Sequence, residues 1–129
     1  MTHIFAGYAD STIRKWEIKS GNCSLHIQKQ TKKEQQKEGP CLIWKLKLFD
    51  QNTLVSGDSK GEVSIWDTNF GTLQKTFKFL KADILALEIS RKYNSIYATG
   101  VDSRVINIAL NTDAETGVSE WMLSSIFRG

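Results

Sequence analysis

Sulfur and imidazole are scarce in this sequence, which has two cysteines and two histidines in 129 residues. Cys23 and Cys41 lie in a chain without an export signal, so they are expected to stay reduced and to pack as small apolar residues. No Cys-x-x-Cys or His-x-x-x-His pair is present to seed a zinc site. His3 and His26 are the only imidazole bases, and bringing His26 to Cys41 for nucleophilic chemistry would need the long intervening loop to fold back. Gly57-Asp-Ser-Lys-Gly61 lacks the spacing and the Gly-Lys-Ser/Thr ending of a phosphate-binding loop. No run approaches the ~20 consecutive apolar residues of a membrane span. The first ten residues have neither the basic region nor the apolar stretch of a signal peptide, which implies an intracellular protein. These absences nominate no catalytic, cofactor-binding or metal-binding residue, no cofactor, and no membrane or small-molecule partner. The expectation is a protein that is not an enzyme.

What the sequence does have is repetition. With 40% hydrophobic and 24% charged residues and a net charge of +3, it reads as an ordinary globular chain. One unit recurs: a hydrophobic strand, a tight polar turn, and a second strand ending in or near Trp. It runs Ile4-Phe-Ala-Gly-Tyr-Ala-Asp-Ser-Thr-Ile-Arg-Lys-Trp16, then Leu54-Val-Ser-Gly-Asp-Ser-Lys-Gly-Glu-Val-Ser-Ile-Trp66-Asp67. A looser copy is Ile96-Tyr-Ala-Thr-Gly-Val-Asp-Ser-Arg-Val-Ile-Asn-Ile108. Gly7 precedes Trp16 by nine positions and Gly57 precedes Trp66 by nine, while the copies step by fifty and then forty-two residues. A period near ~40 residues carrying four short strands is the signature of a β-propeller blade. The fold class is therefore all-β: a partial β-propeller of roughly three four-stranded antiparallel blades, the first incomplete. The blade segments fall at about 1–28, 40–78 and 83–127, with a charged loop at 29–38. Since propellers close with ~4–8 blades, the chain is expected to be a piece of a longer protein.

Period-two alternation places strands at His3–Ala6, Thr12–Ile18 and Cys23–Ile27 in the first blade. The second blade takes Leu42–Phe49, Thr53–Ser56, Glu62–Asp67 and Leu73–Phe77. The third takes Ile84–Ile89, Ser95–Thr99, Arg104–Leu110 and Glu120–Ile126, with a long acidic loop over Asn111–Glu120. The helix-like window Lys29–Glu38 has no apolar face, so it cannot pack as a core helix. Its Lys29, Lys32, Lys33 and Lys37 are diluted by Glu34 and Glu38. That mixture reads as a solvated surface loop, and the four lysines are candidates for a surface contact to RNA phosphate or an acidic partner.

Gly7, Asp10, Trp16, Ser56, Gly57, Trp66, Asp67 and Asp102 form the structural motif set. These positions resemble the WD40 repeat, in which the strand-ending Trp packs between sheets and gives its indole N–H to a buried polar group. In that pattern an Asp braces the turn between the second and third strands, where Asp10 and Asp102 stand here. The chain departs from the pattern in lacking a Gly-His pair before each inner strand. Lys60 stands at the turn-Asp position of the second blade and Ile108 at the Trp position of the third. The combination Cys41-Leu-Ile-Trp-Lys-Leu-Lys-Leu-Phe49, Ser56-Gly-Asp-Ser-Lys-Gly61 and Gly100-Val-Asp102 resembles the cirhin family more narrowly. That resemblance covers about residues 4–110. It implies a non-enzymatic scaffold subunit of the nucleolar small-subunit processome, supporting pre-rRNA processing and small ribosomal subunit biogenesis. Its implied partners are other WD40 and helical proteins of that subcomplex, with at most an indirect or weak contact to pre-rRNA. The alternative is a WD40 adaptor of another complex, a ubiquitin-ligase receptor or signalling scaffold.

Overall fold

A computed structural model describes residues 3–8, 11–29, 41–78, 83–100 and 104–128. Eleven strands occur in them, arranged in three antiparallel sheets. The first sheet has three strands in the order β1 (His3–Gly7), β2 (Thr12–Glu17), β3 (Cys23–Gln28). The second holds β4 (Ile43–Leu48), β5 (Thr53–Asp58), β6 (Glu62–Asp67) and β7 (Leu73–Lys78) in sequence order. The third holds β8 (Ile84–Ser90), β9 (Ser95–Gly100), β10 (Arg104–Thr112) and β11 (Ser119–Arg128), also in sequence order. Three consecutive up-and-down sheets of this kind make a partial WD40-like β-propeller whose first blade has three strands among the described residues.

The sheets pack face to face. Side chains alternate across a strand, and in the middle sheet both faces are covered. Leu54 and Trp66 turn toward the first sheet and pack with Ile13 and Ile27. Val55, Val63, Ile65 and Phe77 turn the other way, onto Ile84, Leu87, Ile96, Ile106, Ile108 and Trp121 of the third. Burial on both faces explains why β5 has no polar-outward alternation and keeps only small polar groups between its apolar ones.

Two glycines set the spacing between sheets. A Cβ on Gly7 would lie 2.5 Å from Ile43 Cγ2, and one on Gly57 would lie 2.5 Å from Ile84 Cγ2. Each sheet thus receives, on a bare backbone patch, the first isoleucine of the next sheet's inner strand. One residue further on, β4 and β8 each slip register against their partners, and the residues in the slip, Trp44 and Leu85, are exposed.

The third copy departs from the other two. Ile108 pairs with Ile96 as Trp66 pairs with Leu54 and Trp16 with Ile4, so Ile108 does occupy the Trp position. Gly100, however, is one residue out of step. Counting from Leu54 and Ile96, the place of Gly57 belongs to Thr99, whose Oγ1 donates to the Arg104 carbonyl at 3.0 Å. A Cβ on Gly100 would instead run into the carbonyl oxygen of Asp83. The expected loop at 111–120 is also shorter than its composition suggests. Asn111 pairs with Glu120 and Thr112 with Ser119, and the hydroxyls of Thr112 and Ser119 lie 2.8 Å apart. Cross-strand side-chain bonding carries this hairpin onward in place of apolar packing.

The bare patches yield a stability prediction. Gly57→Ala is expected to destabilise the fold by ~1–3 kcal/mol, the usual cost of overpacking a close contact. The check is urea denaturation: the midpoint should fall with an unchanged slope. A wild-type midpoint would show that the sheets can part without loss.

Candidate functional site

The polar chemistry of this chain is concentrated where the first two sheets meet, and Asp58 is at its centre. Asp58 follows Gly57 at the end of β5 and has no solvent exposure. Its Oδ1 accepts the backbone N–H groups of Lys60 at 2.9 Å and Glu62 at 3.1 Å, closing the turn into β6. Its Oδ2 accepts the Lys29 ammonium, which arrives from the end of β3 in the neighbouring sheet. Lys29 also lies 3.5 Å from Glu62, and its side chain is only 10% exposed. The carboxylate therefore braces its own turn and holds two blades together. A buried carboxylate needs such pairing to remain charged.

Cys41, just before β4, is buried against the same carboxylate. Burial first, and then the negative charge of Asp58, push its thiol up to about 12, with Lys29 acting in the other direction. Cys23 differs from the expectation for both cysteines. It is exposed on β3, because its position falls at the strand's solvent edge.

Trp66 is buried and donates its indole N–H to Ser56 Oγ at 2.9 Å. In the first sheet Ala6 stands where Ser56 does, and Trp16 donates to the Tyr8 hydroxyl at 3.1 Å. Asp67 accepts the N–H groups of Asn69 and Phe70 at 2.8 and 3.2 Å, opening the β6–β7 turn. That turn closes at Gly71, whose φ of 70° favours glycine; Gly21 and Gly117 repeat it at 71° and 73° in the other sheets. Asp10 and Asp102 lie outside the described residues, as do Lys32, Lys33 and Lys37 of the charged run.

Lys29 is the clearest correction to the sequence reading. It was expected beside the other three lysines on a solvated surface. The Asp58 and Glu62 carboxylates take it into the interface instead. The turn-bracing residue of the second blade is also Asp58, where Lys60 had marked a missing Asp. The signal was present as Asp58-Ser-Lys-Gly61, an Asp whose side chain can reach the N–H two residues on, followed by a turn glycine. Among the described residues, no group of three or more His, Cys, Asp or Glu is placed to hold a metal ion.

Stacked four-stranded sheets, glycine-seated inner strands and a strand-ending Trp bonded to a Ser define WD40-type propeller blades. No protein-family model matches the chain. It is similar to the U3 small nucleolar RNA-associated protein 4 of Schizosaccharomyces pombe, 32% identical over 126 residues, which is 98% of this chain and 17% of that protein. The Saccharomyces cerevisiae protein of the same name is 28% identical over 95% of the chain and 16% of its own length. The human homolog is 25% identical over 98% of the chain and 18% of its own length. The chain is therefore homologous to one segment of the U3 small nucleolar RNA-associated protein 4, or cirhin, family. It spans 16–18% of the length of these relatives.

The Asp58 node makes two predictions. Asp58→Ala leaves the nearly buried Lys29 with only the more distant Glu62 carboxylate and leaves two N–H groups unpaired, so it should cost ~3–5 kcal/mol. Asp58→Asn, which can still accept the turn N–H groups but loses the charge, should cost less, and a wild-type midpoint for Asp58→Asn in chemical denaturation would refute the bridging role. A thiol protonated up to about 12 should also resist alkylation. At pH 8 iodoacetamide should label Cys23 in the folded chain and reach Cys41 only on adding denaturant, as read by peptide mass spectrometry.

Proposed function

We propose that this chain is a segment of a non-catalytic scaffold of the small-subunit processome. It would work in the nucleolus in pre-rRNA processing and small ribosomal subunit biogenesis. The observation that carries this reading is the alignment of 98% of the chain, at 32% identity, with a protein named for its association with U3 small nucleolar RNA. Physical features support the mode of action. Rigid sheets hold their connecting turns at fixed positions, and several such turns can engage different proteins at once. Weak contacts then add through a high effective concentration. The partners this suits are other WD40 and helical proteins of the complex.

Contact with pre-rRNA is weak or indirect in this reading. Lys29 is committed to Asp58 and Glu62. The rest of the run, Lys32, Lys33 and Lys37, is diluted by Glu34 and Glu38. A grip on phosphate would need a denser cationic surface.

The test uses the full-length tagged protein in cells. It should concentrate in the nucleolus and recover U3 small nucleolar RNA, and its depletion should slow the early cleavages of the small-subunit precursor. Neutralising Lys32, Lys33 and Lys37 together should leave that recovery largely intact. Recovery of a ubiquitin ligase without any ribosomal precursor would overturn the assignment in favour of an adaptor of another complex.

A further inference from the structure

Between the second and third sheets, at the end carrying the β4–β5 and β10–β11 turns, lies a cleft of about 360 Å³. Its apolar lining comes from Phe49, Leu110 and Trp121, with the Phe49 and Trp121 rings packed edge to face at 4.9 Å between centroids. Its charged lining is Asp50, Glu120 and Lys75. Two carboxylates against one ammonium make the cleft acidic in a chain whose net charge is +3.

Each acid keeps an oxygen free. Asp50 Oδ1 accepts the Asn52 N–H at 2.8 Å, and its Oδ2 has no partner among the described residues. Glu120 Oε1 takes Lys75 at 2.7 Å, and its Oε2 is likewise open. Trp121 adds a donor. It is 7% exposed, yet its indole N–H has no hydrogen-bond partner among the described residues, whereas Trp16 and Trp66 both donate theirs. The Trp121 indole N–H is not among the buried polar atoms that lack a partner, so it opens to solvent and an acceptor on an incoming molecule can reach it.

We propose that this cleft is a docking site for an extended segment of a partner protein that carries an arginine beside an aliphatic residue. The aliphatic side chain suits the Phe49–Leu110–Trp121 lining. The guanidinium suits Asp50 and Glu120, because its planar fork pairs with carboxylates and stacks on aromatic rings. A backbone carbonyl of the same segment can accept the Trp121 N–H. A nucleic-acid phosphate would face two carboxylates and be repelled. Lys75 competes with the arginine for Glu120, so the resident pair must open as the segment enters. This site does not depend on which complex the protein serves.

The test follows the Trp121 indole N–H by NMR in the isotope-labelled 129-residue chain, the signal being assigned by its loss in Trp121→Phe. The probe is the capped peptide Gly-Leu-Arg-Leu-Gly, with Gly-Leu-Glu-Leu-Gly as control. The arginine peptide should give a saturable shift and the glutamate peptide none. The double variant Asp50→Asn with Glu120→Gln keeps the side-chain shapes and removes the charges, and should weaken binding about tenfold. Lys75→Met should strengthen it by freeing Glu120, an outcome that a merely structural role for these residues would not produce. No saturable shift, equal shifts with both peptides, or a shift given instead by an oligouridine RNA would each overturn the proposal. So would an unchanged affinity in the double variant.

Discussion

The approach of one blade to the next is set by a missing side chain. At Gly7 and Gly57 the backbone is bare, and an isoleucine from the following inner strand, Ile43 or Ile84, sits where a Cβ would have been. Dispersion contacts are short-ranged, and a gap of under an ångström forfeits a substantial share of them. This seating therefore governs how well the remaining apolar groups interlock. Trp66 and Leu54 reach the first sheet, and Val63 and Ile65 reach the third, only because the strands come this close. The middle sheet is accordingly core on both sides. Its stability is a property of two interfaces more than of its own strand pairing, as expected for stacked repeats.

Much of this was legible in the sequence because the repeat speaks twice. Gly and Trp nine positions apart define strand, turn and strand, and the observed elements follow those positions closely in the first two blades. The third blade was harder to read. Its Gly100 mimics the motif but faces the opposite side, because it stands one residue later, at the place of Asp58: the register of β9 on β10 is that of the other hairpins, with Thr99 opposite Val105 as Gly57 is opposite Val63. An offset of one residue puts a glycine on the other face of its strand, and the presence of a glycine alone cannot reveal it.

The candidate site was less legible than the fold, for reasons of range. Lys29 and Asp58 are twenty-nine positions apart, and the intervening charged run makes Lys29 look like one more solvated lysine. Only the stacking of the sheets makes it an interface residue. The open indole of Trp121 belongs to the same class. Its chemistry depends on what fails to stand beside it, and a linear sequence carries no record of that. Asp58 is intermediate: its turn role was encoded locally in Asp58-Ser-Lys-Gly61, while its bridging role was not.

The replacement of glycine by Thr99 at the third blade bears on how such a molecule keeps its order through evolution. Tandem repeats invite unequal exchange, in which one unit is duplicated, lost or traded for another. Identical junctions would let any blade follow any other. Here the first junction joins Lys29 to Asp58, the second joins Lys47 to Glu88 and Lys75 to Glu120 around its glycine seat, and the third sheet offers a hydroxyl where the seat should be. The glycine seat is common to the first two junctions, and the ion pairs beside it are what tell them apart. The irregularities thus work as an address written into the chain, since an exchanged blade would bring its charges to a junction that lacks their partners.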